Sequence, residues 1–447
     1  MPDLTSMSMS PAARQMRVWT RLAMIWGLYY LLIFTLGINP RFMQQTIWIG
    51  AVVVVLLTVP VVLRHVRFRD VPREDKWLWV FFGWSLTGVF SATDMAEFGR
   101  FAQLVFEFAM VVTLVSLVLK YSGASRWLFG AYLGVALFRV LTGEIPIGME
   151  QLEQTGNVVA RIHDANSVGY YSLLGILGVL ALLWETKRWG VRVLLVGSGI
   201  IALYGVVLST SRGAFIALMA IAVLWPTLCL VGSSRYKLGA IAIAVLLLGV
   251  AYLGYEFVLQ ETNMGTRFMR STHMEDNSTQ VRFGLVMTAF RIFSENPVFG
   301  CGLGQFGVVS GTGYYAHNEV AEVLATTGLP GFILLYSVYA FAWVRLTRSL
   351  RWIQEPLFRY RINIARIGLQ MLMLSRSLSR PNFLAQDTMF LLGIVLGTAH
   401  WAERLARAGL PAPRPMCARP VFDPWRLPCR CSAWGVPRAE RTIEVCP

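Results

Sequence analysis

The chain has 447 residues, of which 55% are hydrophobic and only 15% charged, and it carries a net charge of +15. So much apolar residue, at a mean hydropathy of +0.55, exceeds what one soluble core needs and points to a polytopic membrane protein. The basic residues recur in short clusters between apolar runs, which excludes a nucleic-acid footprint and makes the charge a topology signal.

In chain order, residues 1–20 form a polar N-terminal segment with Arg14 and Arg17. No convincing small-residue cleavage site follows, so the first apolar run is expected to stay as an anchor. Runs of near-spanning length stand at 21–38, 44–63, 77–92, 99–119, 127–142, 166–184, 191–209, 213–231, 238–257, 318–344, 362–375 and 384–400. Crossing about 30 Å of hydrocarbon takes about 20 apolar residues as helix, and these runs lack the alternation of membrane strands. The expected fold is all-α, with about twelve transmembrane helices. The run 362–375 is short and contains Arg366, so it is open to being tilted, re-entrant or misplaced.

Basic connections at 64–76, 120–126, 185–192, 233–237 and 345–361 all fall on one side. By the positive-inside rule both termini are cytoplasmic, and residues 258–317, between the ninth and tenth helices, form a large external loop. Residues 21–257 then hold nine spans and 318–400 three. The remainder, 401–447, is rich in Pro, Arg and Cys and reads as a disordered cytoplasmic tail. Cys229 in a span, Cys301 in the loop and four cysteines in the tail make no disulfide framework.

Arginines break the charge pattern on the outer side: Arg161, Arg212, and Arg267, Arg270, Arg282 and Arg291 in the long loop. The stretch TQVRFGLVMTAFRIF reads as an amphipathic helix in which Arg282 shares the face of Leu285, Val286 and Ala289, while Arg291 falls opposite. An arginine on an apolar face needs an anionic partner or must snorkel, so Arg282 is the better binding candidate. Arg212, in the tight turn STSRG, is placed to clamp a diphosphate or to anchor its span at the headgroups. Arg161 and Asn166, with His163 and Asp164, either line the same mouth or cap the next helix.

Asn296-Pro297 ends the amphipathic helix, and Gly300, Gly302, Gly304 and Gly307 permit close backbone approach. The G-x-G-x-x-G spacing within them has no strand before it, so it does not mark a dinucleotide site. Asn318 reads as an N-cap, with Glu319 and Glu322 favoured by the helix dipole. His317 has no such structural account, and a neutral imidazole can take a proton from a hydroxyl near neutral pH; an ordinary interfacial histidine is the competing account. Glu107 and Arg139, inside spans, are either functional ions within the membrane or, as the favoured account, a structural pair between neighbouring helices. Neither His-x-Cys nor D-x-D ligand spacing is present, and no metal or cofactor is expected.

At these residues the chain resembles the O-antigen ligase and O-antigen polymerase superfamily of bacterial envelope glycosyltransferases. The likeness lies in Ser211-Arg212-Gly213 opening a span, ENPVFGCGLGQF at 295–306, AHNEVAEVLATTGLPG at 316–331 and RIHDANSVG at 161–169. It covers roughly residues 20 to 400, with specific motifs only between 161 and 331. The tail has no counterpart, and Ala165-Asn166 stands where the family has proline-asparagine.

The resemblance implies a metal-independent glycosyltransferase of the C type (GT-C-like) in the cell inner membrane, acting outside it on an undecaprenyl-diphosphate-linked glycan. The acceptor would be the lipid A core or a glycan repeat unit. Arg212 and Arg282 would bind the diphosphate with Arg161 as a third, His317 would act on the acceptor hydroxyl, and Asn318, Glu319 and Asn166 would support them. From a different class, a secondary transporter would also suit about twelve spans with ionisable residues inside, but no inverted repeat or pair of broken helices is evident.

Overall fold

The computed structural model describes residues 11–36, 40–142, 165–209, 211, 213–222, 277–376 and 381–407. Among them the chain is all helix with no strand. The helices are α1 Pro11–Leu36, α2 Pro40–His65, α3 Arg73–Leu86, α4 Met95–Ser122, α5 Arg126–Leu141, α6 Ala165–Glu185 and α7 Trp189–Leu208. After α8 Gly213–Ala222 come α9 Asn277–Glu295, α10 Gln305–Val309, α11 Glu319–Trp352, α12 Pro356–Gln370 and α13 Gln386–Arg407. Residues 238–257, expected to hold the ninth span, and residues 258–276 of the loop lie outside the described residues.

Five helices among the described residues are long and apolar enough to cross a membrane, within α1, α4, α6, α7 and α11. The expectation of about twelve counted every apolar run. Of the other runs, 238–257 and the second half of 213–231 lie outside the described residues, α3 is 14 residues long and opens on Glu74 and Asp75 before a 3-10 turn at Thr87–Phe90, and α12 carries Arg359, Arg361 and Arg366. The run 362–375 is thus the second half of α12, largely buried and with Arg366 as its one basic residue, and it continues into a π-helical turn at Met371–Arg376. Two further boundaries differ. Residues 345–361, read as a connection, are mostly the ends of α11 and α12, and residues 401–407, read as tail, continue α13.

Packing uses small residues where helices come close. Gly393 and Gly397 of α13 set its backbone against Val112, Val115 and Ser116 of α4, and Gly178 of α6 lies against the Phe129 carbonyl of α5. This is how membrane helices gain dispersion energy without a hydrophobic drive between them. At the centre, Tyr30 packs edge-on against Tyr132 and Phe390 at 4.7 and 4.9 Å, and the indole of Trp26 donates to Thr58 Oγ1 at 3.2 Å.

Helix α11 breaks. Gly328 adopts φ 67°, ψ −174° inside it, and Pro330 has no N–H to offer the Thr326 carbonyl four residues back. An alanine at 328 would add left-handed strain and drive its Cβ into the Val298 carbonyl, a combined cost of roughly 2–4 kcal/mol. Thermal unfolding in detergent is expected to drop for Gly328→Ala. It should hold or rise for Gly284→Ala, where nothing stands within 4 Å.

Candidate functional site

The segment between α9 and α11 is docked, not loose, and the break in α11 is what it docks on. The Leu329 N–H donates to the Pro297 carbonyl at 2.8 Å, while Cys301 N and Gly302 N donate to the carbonyls of Ala325 and Thr326 at 2.8 and 3.1 Å. Trp84 of α3 donates its indole N–H to the Thr327 carbonyl at 2.9 Å and stacks on Phe299 at 5.4 Å. The glycine cluster is therefore a backbone splice: Gly300 and Gly302 hold φ 69° and 100°, and Gly302 lies directly on Gly88. Burial pushes the Cys301 thiol up to about 12, which leaves it a small apolar packing residue.

Gln305 fastens the same segment to the α3–α4 connection. Its buried Oε1 accepts from Thr93 N (2.9 Å), Thr93 Oγ1 (3.0 Å) and Asp94 N (2.9 Å), and its Nε2 donates to the Asp94 carbonyl at 2.8 Å. Asp94 in turn caps α4 by accepting from Ala96 N and Glu97 N. Sequence reasoning passed over Gln305; its one signal was a single amide inside an otherwise apolar, glycine-rich stretch.

His317 stands at the mouth of α11 and is the one non-glycine residue with positive φ among the described residues, at 52°. A left-handed backbone costs an ordinary L residue roughly 1–2 kcal/mol and persists only where its neighbours over-determine it. Here both neighbours are tied. Ala316 N donates to Glu322 Oε2 at 2.6 Å, and Asn318 accepts from Ala321 N at 3.0 Å, the N-cap read from the sequence. The imidazole is half-buried and stands 4.2 Å from the Tyr315 ring.

The first-turn carboxylates do more than complement the helix dipole. Glu319 is fully buried and accepts from Asn382 N (2.8 Å), Asn382 Nδ2 (2.9 Å), Tyr336 OH (3.3 Å) and Tyr339 OH (3.4 Å). It joins the start of α11 to the segment before α13. Asn382 is a second residue that sequence reasoning missed, because its partner lies 63 positions away.

Helix α9 packs on α11 through buried Leu285, Ala289 and Ile292. Arg282 is half-buried toward that face and Arg291 is exposed. Arg212, Arg161 and the side chain of Asn166 lie outside the described residues, although Asn166 is within helix α6. Their chain neighbours meet: the Cβ position of Gly169 in α6 is 2.7 Å from Ser209 Oγ and 3.0 Å from Ser211 Cβ. Glu107 and Arg139 are served separately. Gln103 donates to Glu107 at 2.8 Å on the same helix, and Arg139 donates to the Phe34 carbonyl at 3.2 Å and lies over Tyr171. No group of three or more His, Cys, Asp or Glu that could hold a metal converges among the described residues.

Residues 197–336 match the O-antigen ligase family model. The match bears out the resemblance to the O-antigen ligase and polymerase superfamily. With the long apolar helices, it supports a multi-pass membrane enzyme of surface polysaccharide assembly. The O-antigen ligase segment contains Arg212, Arg282, His317, Asn318 and Glu319, with Arg161 and Asn166 upstream of it. No curated protein matches the chain.

The Gln305 clamp has a measurable weight. Gln305→Leu keeps the volume but strands the amides of Thr93 and Asp94, at about 1–3 kcal/mol for buried unsatisfied groups. A lower Tm in detergent is expected; an unchanged Tm would show that the clamp contributes nothing.

Proposed function

We propose that this protein is a metal-independent glycosyltransferase that moves a glycan from undecaprenyl diphosphate to a sugar hydroxyl on the outer side of the cytoplasmic membrane, as an O-antigen ligase or polymerase. The proposal includes about twelve spans in a GT-C-like arrangement, both termini cytoplasmic and residues 258–317 outside. The observation that carries it is the backbone of His317, a left-handed histidine held between two capped residues inside the segment that matches O-antigen ligases. Such outliers point to function, because an ordinary interfacial histidine needs no strained backbone.

In this reading the acceptor hydroxyl attacks the anomeric carbon, its proton passes to the neutral imidazole of His317, and the bond from that carbon to the diphosphate oxygen breaks. Undecaprenyl diphosphate leaves with the electron pair, and a single displacement inverts the anomeric centre. Arg212 and Arg282, with Arg161 as a third, neutralise the charge that develops on the diphosphate. Asn318, Glu319 and Asn166 hold the imidazole and the adjoining helix starts in place.

The break in α11 is the feature that favours a secondary transporter, since discontinuous helices build ion sites there from unwound carbonyls. In this chain the carbonyls of Ala325, Thr326 and Thr327 at the break accept from Cys301, Gly302 and Trp84. They are occupied by the protein's own donors, which argues for a structural joint over an ion site.

Purified protein supplied with an undecaprenyl-diphosphate oligosaccharide in the presence of EDTA tests the reading by gel. A ladder on donor alone identifies a polymerase, a shift only with lipid A core identifies a ligase, and no product with a range of acceptors would overturn the proposal. Arg212→Ala and Arg282→Ala are expected to abolish transfer and weaken donor binding, while Arg291→Ala keeps most activity; equal loss in all three would show the face argument to be wrong. His317→Asn, which tolerates the left-handed backbone, is expected to bind donor but lose turnover by at least about a hundredfold.

A further inference from the structure

A second concavity, of about 490 Å³, opens at the far end of α11 between the start of α3 and the end of α13. It is remote from His317: Arg345 in its wall lies roughly 40 Å of helical rise below Glu319. Four arginines and two glutamates line it, Arg73, Arg345, Arg348 and Arg407 against Glu74 and Glu403, so 4 − 2 leaves +2.

The pairing within it is uneven. Arg345 donates to both oxygens of Glu74 at 2.8 and 3.0 Å and also pairs with Glu403, and Arg407 pairs with Glu403 as well. Arg73 and Arg348 are exposed and have no carboxylate partner among the described residues. The Arg73 guanidinium lies over the Phe341 ring at 4.7 Å, which orients it without neutralising it. These two cations come from different helices and converge on one hollow, beyond what a scattered positive-inside bias requires.

The rim is apolar. Val344 and Trp352 are 41% and 74% exposed on the same helix. A ligand must then carry a negative head and an apolar body. We propose that this cavity binds the phosphodiester headgroup of an anionic phospholipid from the leaflet on the basic side, with Arg73 and Arg348 as the phosphate donors and Val344 and Trp352 against the acyl chains.

Free phosphate shares the headgroup chemistry, and the test separates the two. The full chain is reconstituted in nanodiscs of phosphatidylcholine with or without phosphatidylglycerol, released into detergent, and weighed by native mass spectrometry. Wild type is expected to retain phosphatidylglycerol in preference to phosphatidylcholine, and the Arg73→Gln/Arg348→Gln variant to lose that retention by about tenfold. Arg291→Gln, an exposed arginine at the other end, should match wild type. Equal retention by the double variant, with its Tm unchanged, would overturn the site. Displacement of the lipid by millimolar inorganic phosphate would overturn the lipid assignment and leave a general anion site.

Discussion

A helix that enters hydrocarbon cannot leave carbonyls without donors, and α11 is a helix that does not run unbroken. Gly328 turns the chain out of register and Pro330 removes an amide. The Ala325 carbonyl loses Leu329 N, which turns to Pro297, and the Thr326 carbonyl loses the amide that Pro330 lacks, with the Thr327 carbonyl beside them open to a side-chain donor. The fold answers with two backbone amides from the glycine segment and one indole from α3. Everything near His317 depends on that exchange, because it docks the chain between α9 and α11 against the bundle.

Once docked, the segment is closed at both ends by amide and carboxylate groups that only pair in three dimensions. Gln305 holds it to the cap of α4, Glu322 reaches back to Ala316, and Glu319 ties the mouth of α11 to Asn382. Two buried carboxylates within one turn are costly unless each is fully bonded. Their partners make that turn a fixed platform, and a fixed platform is what lets His317 keep a left-handed backbone.

The opposite end of α11 follows a different logic. There Arg345, half-buried, forms ion pairs with α3 and α13, and Arg361 donates to Glu185 at 2.7 Å. Basic side chains thus do two jobs on that face: paired ones cross-link helices, and unpaired ones such as Arg73 remain for the membrane or an anion.

Hydrophobic runs and arginine clusters alone determined that the chain is helical and membrane-embedded, because length and apolarity suffice for that. The Asn318 cap and the apolar face of α9 were also legible, since both are local patterns of three or four residues. The number of spans does not follow from apolarity alone, because a stretch such as the one after Asp75 forms a helix of 14 residues that opens on two carboxylates. Only the tertiary structure decided what the glycines, Gln305 and Glu319 do. Their partners, at Thr326, Asp94 and Asn382, lie far away in the chain, and no local spacing encodes a hydrogen bond that forms only when helices meet.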